Sequence, residues 1–153
     1  MSAPNHADLL QQLVPIVRAA GVLVMAVYAT DFDVLSKEDA SPVTAADQQA
    51  EDLITEALAR LTPGIPVVGE EAVSGGSQPA IGERFWLVDP LDGTKEFISR
   101  NGEFTVNIAL VEHGQPVLGV VLAPALDALY AGGVGLGAWV EQDGQRTPIA
   151  CRA

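Results

Sequence analysis

The chain changes its hydrophobic rhythm once: apolar positions recur at helical spacing over the first 61 residues and alternate from residue 104 onward. Leu9, Leu10, Leu13, Ile16, Val17, Ala20, Val24, Val27 and Tyr28 keep a period near that of a helix. Asn5, with Asp8 three residues on, reads as the start of that helix. Pro15 lies inside the pattern and is expected to kink the helix or break it in two, because it lacks an N–H and its ring crowds the preceding turn. Gly21 either allows close packing against a neighbouring helix or is neutral. A second helix is expected to begin at Thr44 as its cap, with Asp47 at the third position as in a capping box. Ser41-Pro42-Val43-Thr44 should be extended where it leads into the helix, since the residue before proline avoids the helical region. The helix runs to about Leu61, with Ile54, Ala57, Leu58 and Leu61 inward and Glu56 paired with Arg60 outside. Thr62-Pro63-Gly64 ends it.

Strands follow. Residues 34–37 form a short possible strand, and Pro66-Val67-Val68 another. Phe85, Trp86, Leu87 and Val88 are an apolar run rich in β-formers, which should stop abruptly at Asp89-Pro90 and Asp92-Gly93, two strong turn signals. Past that turn Thr94 can cap a short helix through Phe97. Residues 72–82, rich in Ser and Gly, read as a loop that serves either as a lid or as a plain connection. Phe104, Val106, Ile108 and Leu110 alternate with polar or small residues, His113-Gly114 is a hairpin turn, and residues 117–122 return. His113 is therefore a turn residue and not a ligand. Residues 126–131 and 137–142 read as two further strands, with Asp143-Gly144 as another hairpin turn. Two helices followed by a run of strands is α+β layering.

Acidic residues gather where strands end. Asp89 and Asp92 flank the turn after one strand, and Glu70-Glu71 follow the short strand before it. Two strand ends that each deliver carboxylates are a pattern for hard cations, which take oxygen ligands. The N–H groups of Gly93 and Thr94 at a helix start would form a phosphate seat. Carboxylates beside an anion seat are compatible only if a cation lies between them, since like charges otherwise repel the phosphate. Asp47 has two readings, a helix-capping residue or a member of this group.

Charge supports the cation. Twenty acids against eight bases give a net charge of −12, and setting aside Asp47, Glu70, Glu71, Asp89 and Asp92 still leaves −7. An acidic surface excludes a nucleic-acid polymer as partner and does not steer anions, so a phosphate substrate has to be captured locally by metal. The 153 residues, 48% of them apolar, suffice for one domain with a core. The single cysteine, Cys151, rules out an internal disulfide and reads as an inert hydrophobe. The most apolar run, residues 19–29, is too short for a transmembrane segment, which takes about 20 residues. With no Lys or Arg before Arg18 there is no signal peptide pattern, and a cytoplasmic protein is expected, peripheral inner-membrane association being the second option.

Gly69-Glu70-Glu71 followed by Asp89-Pro90-Leu91-Asp92-Gly93-Thr94 resembles the signature of the inositol monophosphatase superfamily. The resemblance implies a layered αβαβα fold and a magnesium-dependent, lithium-sensitive phosphomonoesterase. Ser41-Pro42-Val43-Thr44-Ala45-Ala46-Asp47, Lys95-Glu96-Phe97 and residues 101–110 are similar to the bacterial 3'(2'),5'-bisphosphate nucleotidase branch, which removes the 3'-phosphate of adenosine 3',5'-bisphosphate. Lys95-Glu96 separates it from inositol phosphatases, which carry Thr-Asn-Phe there, and from sugar bisphosphatases, which carry Ser-Ser-Asn. Residues 1–153 then correspond to the N-terminal metal-binding domain, two long helices on a mainly antiparallel sheet. The family's C-terminal domain, with a Trp-Asp-x-Ala motif that supplies a further metal ligand, has no counterpart in this sequence.

The resemblance also implies roles. Glu70, Asp89 and the Leu91 carbonyl would hold a first magnesium, and Asp89 with Asp92 a second. Thr94 would hydrogen-bond the attacking water, with Asp47 or Glu71 accepting its proton. Gly93 and Thr94 would hold the phosphate, while Lys95 either meets a substrate phosphate or is a solvated helix residue. Glu70, Leu91 and Asp92 thus border the substrate as well as the metals. The substrate is a small phosphorylated nucleotide; the alternatives are an inositol or sugar phosphate phosphatase, an inactive metal- and phosphate-binding fragment, and an interaction module or homo-oligomer formed through an uncovered sheet edge.

Overall fold

A computed structural model describes residues 5–28, 41–69, 84–92, 104–142 and 144–149, with side chains except at 41–46 and 92. The elements are α1 (His6–Tyr28), α2 (Ser41–Leu61), β1 (Val67–Gly69), β2 (Arg84–Asp92), β3 (Thr105–Glu112), β4 (Gln115–Ala123), β5 (Ala128–Gly133), β6 (Gly137–Gln142) and β7 (Gln145–Ile149). The seven strands form one sheet in chain order. β1 and β2 are parallel and every later pair is antiparallel. The fold is α+β, two helices on a mixed, mostly antiparallel sheet.

Strand alternation decides which face the helices cover. Trp86 and Val88 of β2 pair with Leu110 and Ile108 of β3, which pair in turn with Leu118 and Val120 of β4. All six are buried, with Leu122, Leu129 and Ala131 extending the same apolar face. Against it α1 lays Leu9, Leu10, Leu13, Val17, Ala20 and Val24, and α2 lays Ala50, Ile54 and Leu58. The tightest approach is at Gly21, where a Cβ would stand 2.5 Å from Leu122 Cδ2. Gly21 is therefore what lets α1 sit down on β4. The opposite face carries Asp89, Asn107, Val121, Tyr130 and Val140 in one row of paired positions.

Three expectations about element boundaries are corrected. α1 runs unbroken through Pro15, whose ring lies on the exposed side while Leu13 and Val17 beside it are fully buried; tertiary packing outweighs one missing backbone bond. α2 begins at Ser41 and not at Thr44. Pro42 falls in the first turn, where N–H groups have no partner within the helix and a fixed φ suits the start. Asp47 then lies in the second turn, too far inside to be a capping-box residue. β2 does not stop at Asp89-Pro90 but continues to Asp92. Asp89 pairs with Asn107 and Asp92 with Thr105, three steps on one strand against two on the other, so a bulge absorbs Pro90 and its missing donor.

Other expectations hold. Asp8 N–H donates to Asn5 Oδ1 at 2.8 Å, and Glu56 pairs with Arg60. His113 and Gly114 have φ of 53° and 78°, the left-handed pair of a two-residue hairpin. One further boundary is corrected: the strand expected over 126–131 is Ala128–Gly133, because Leu126 and Asp127 belong to the preceding turn. Residues 34–37, 72–82, the helix after Thr94 and Cys151 lie outside the described residues. The 23-residue α1 is long and apolar enough to cross a membrane by length and composition, contrary to the sequence reading. Its buried stripe against α2 and the sheet identifies it instead as the core helix of this domain.

α2 is tied to β2 by a buried chain of hydrogen bonds. Trp86 Nε1 donates to Thr62 Oγ1 at 2.9 Å, and Thr62 Oγ1 donates to the Leu58 carbonyl at 3.0 Å. Trp86 N–H donates to the Pro66 carbonyl at 2.8 Å. These bonds fix the end of α2, the approach to β1 and the start of β2 against one another, upstream of the acidic residues.

Candidate metal and phosphate site

The parallel pairing of β1 and β2 brings two acidic segments together. Gly69, the last residue of β1, pairs with Val88, and the chain passes directly from Gly69 to Glu70 as it does from Val88 to Asp89. Asp89 is half-buried on the face away from the helices, while Leu91 is buried. The bulge between Asp89 and Asp92 changes the spacing of the two aspartates relative to β3. On a regular strand two residues three apart point to opposite faces, and the bulge breaks that alternation between them.

α2 approaches the same corner, packing on β1 and β2. Asp47 is half-buried on its second turn, and Glu51 lies one turn further along the same side. The Glu51 carboxylate reaches the strand end: Oε1 lies 2.5 Å from where a Cβ on Gly69 would be. Asp47 and Glu51 come from successive turns of α2 and Asp89 from β2, on which α2 packs. Sequence reasoning named Asp47 and Asp89 but passed over Glu51. Glu51 was discoverable as the residue four places beyond Asp47.

Glu70, Glu71, Gly93, Thr94 and Lys95, and the Asp92 side chain, lie outside the described residues. Among the described residues no three His, Cys, Asp or Glu side chains converge closely enough to hold a metal. The donors described here, carboxylates and a strand-end carbonyl, are all oxygen, and oxygen donors fit magnesium or calcium rather than a thiophilic metal.

This architecture is that of a known family. The chain matches the Inositol monophosphatase family over residues 5–152 and belongs to it. Among curated relatives it is 52% identical over 146 residues to the 3'(2'),5'-bisphosphate nucleotidase CysQ of Escherichia coli O157:H7, covering 94% of this chain and 59% of that protein. It is 38% identical over 126 residues to the CysQ nucleotidase of Haemophilus influenzae, covering 82% of this chain and 47% of that one. Solved structures agree. The CysQ of Bacteroides thetaiotaomicron superimposes with a TM-score of 0.73 at 39% identity, over 87% of this chain and 48% of that one. An inositol monophosphatase from Zymomonas mobilis gives 0.79 at 29% identity, over 98% and 55%. The chain therefore spans about half to three-fifths of the length of these relatives.

Proposed function

We propose that this chain carries the metal-binding part of a magnesium-dependent phosphomonoesterase that removes the 3'-phosphate of adenosine 3',5'-bisphosphate. The observation that carries the reading is the pairing of β1 with β2: β1 ends at Gly69 opposite Val88 and leads into Glu70-Glu71, β2 carries Asp89 and Asp92 just beyond Val88, and α2, which bears Asp47, packs on both strands. The identity to nucleotidases named CysQ supports the choice of substrate.

Glu70, Asp89, Asp92 and the Leu91 carbonyl would hold the magnesium ions, two or more of them and sensitive to lithium. Bound magnesium supplies charge neutralisation at the phosphoryl and leaving oxygens. The protein's residues do the rest. Gly93 and Thr94 N–H groups hold the phosphate, and the Thr94 hydroxyl orients the water in line with the 3'-oxygen. Asp47 or Glu71 takes the water's proton as its oxygen joins phosphorus and the bond to the 3'-oxygen breaks. That proton equivalent returns to the 3'-alkoxide, giving adenosine 5'-phosphate and inorganic phosphate. Lys95 faces a second phosphate of the substrate as a point charge. The enzyme acts in the cytoplasm on a small nucleotide.

The test is phosphate release from adenosine 3',5'-bisphosphate and from inositol 1-phosphate, each with magnesium and with chelator. Magnesium-dependent release with the nucleotide preferred supports the reading. Preference for inositol 1-phosphate overturns the substrate, and release unaffected by chelator overturns the metal.

A further inference from the structure

Gly69 has no conformational reason to be glycine. It is the last residue of a paired strand, and it is not among the glycines with positive φ, which are Gly114, Gly135, Gly137 and Gly144. What excludes a side chain is space. A Cβ there would meet Glu51 Oε1 at 2.5 Å, well inside non-bonded contact, with Cδ at 3.4 Å behind it. Other crowded glycines in the sheet are approached by apolar side chains or backbone, as Gly119 is by the Ile108 carbonyl and Gly132 by Ala138. Gly69 is approached by a half-buried carboxylate, one residue before Glu70.

We infer that Glu51 is a positioning residue for the metal site: its carboxylate occupies the space left by Gly69 and sets the direction in which β1 hands the chain to Glu70. The inference rests on the reading of Glu70 as a magnesium ligand. Glu51 is anchored for this task, with Ala50 and Ile54 on either side of it fully buried. Its Oε1 takes up the space a Cβ of Gly69 would occupy, so its action is assigned to the strand end. A flexible tip can swing aside at little cost in stability. Crowding at position 69 should therefore be felt at the metal more than in the melting temperature.

Magnesium calorimetry and thermal melts on this chain test the inference with Gly69→Ala, Glu51→Ala, Glu51→Gln and the double variant Gly69→Ala/Glu51→Ala. Gly69→Ala and Glu51→Ala should each weaken magnesium by roughly 10-fold or more, the scale of losing a residue that orients a ligand, with the metal-free melting temperature near that of the parent. Glu51→Gln, which keeps shape and an acceptor oxygen, should bind within a few-fold of the parent. The double variant should bind no more weakly than Glu51→Ala alone, because alanine at 69 then displaces nothing. Additive losses, parental affinity in Gly69→Ala, or Gln as damaging as Ala would overturn the inference. Failure of the parent chain to bind magnesium would instead overturn the metal reading on which it rests.

Discussion

The helix-covered face of the sheet and the corner where β1 and β2 end are built on opposite rules. On the covered face alternation is strict, and Trp86, Val88, Ile108, Leu110, Val120 and Leu122 are all sealed from solvent. At the corner the alternation breaks into a bulge around Pro90, and carboxylates at 47, 51 and 89 are held half-buried in a chain whose net charge is already −12. Apolar regularity lowers the free energy of the fold. Carboxylates held partly out of water do not lower it, and are tolerated where a cation is to be received. Substitutions on the face should therefore change stability and leave metal binding alone, while substitutions at the corner should do the reverse.

Leu13→Ala probes the face most severely. Leu13 is fully buried under α1, far along the chain from any acidic residue of the site. Its truncation should cost about 2–5 kcal/mol in denaturant unfolding, while the fraction that remains folded binds magnesium with parental affinity. A loss of affinity in the folded fraction would mean that the two regions are not separable.

Asp89→Asn probes the corner. As a charged ligand on a strand that is otherwise unchanged, its loss should weaken magnesium by about 100-fold, equivalent to about 2.7 kcal/mol, beyond what an outer residue costs. The metal-free melting temperature should stay near that of the parent, because Asp89 is half-buried on the face away from the helices and is not part of the apolar core. A fall of several degrees without metal would make Asp89 a structural residue and break the contrast.

The same contrast explains what was legible in the sequence. The face was legible because burial imposes a period: Leu9 through Val24 at helical spacing, and Val106 through Leu110 alternating, point to their own partners. The acidic residues were legible as residue types after short strands, and family resemblance supplied their roles. Where the local rule was overridden, reading failed. Pro42 and Pro90 look like stops, yet one falls where a helix start has no use for its N–H and the other where a bulge has released its partner. Glu51 looked like any outward helix residue, because its significance depends on the β1 register bringing Gly69 beneath it. That is a contact between distant segments, to which no local pattern is sensitive.

Thr62→Val separates the two regions at their junction. Thr62 is buried and accepts the Trp86 Nε1 hydrogen bond while donating to the Leu58 carbonyl. Valine keeps the volume but leaves a buried indole N–H unpaired, which should cost about 1–3 kcal/mol by chemical denaturation. Since β2 carries Asp89 three residues beyond Trp86, magnesium calorimetry on this variant measures how much of the corner's geometry is set from the core. Parental affinity would confirm that the face and the corner are independent even where they share a strand.

The smallest effect is expected at the other end of β2, where Glu112 gathers His6 Nε2 at 3.2 Å and Arg84 Nε at 2.6 Å, joining α1, β2 and β3. The Glu112 side chain is only 14% exposed, yet Arg84 is half-exposed, so the pair is a rim feature. Burial pushes the Glu112 carboxyl up, but the hydrogen bonds and charges of His6 and Arg84 outweigh it and hold the group below its ordinary value of 4.5. A carboxyl with a lowered folded pKa stabilises the fold at pH above its unfolded value, and that contribution is lost as pH falls through the folded value. Glu112→Gln should therefore destabilise by about 1 kcal/mol or less at neutral pH, and the difference from the parent should shrink as pH drops below 4.5. Magnesium affinity should not change at all, because Glu112 and the acidic corner lie at opposite ends of the β2–β3 ladder. A destabilisation that persists undiminished at acid pH would show that Glu112 contributes by packing and not by charge.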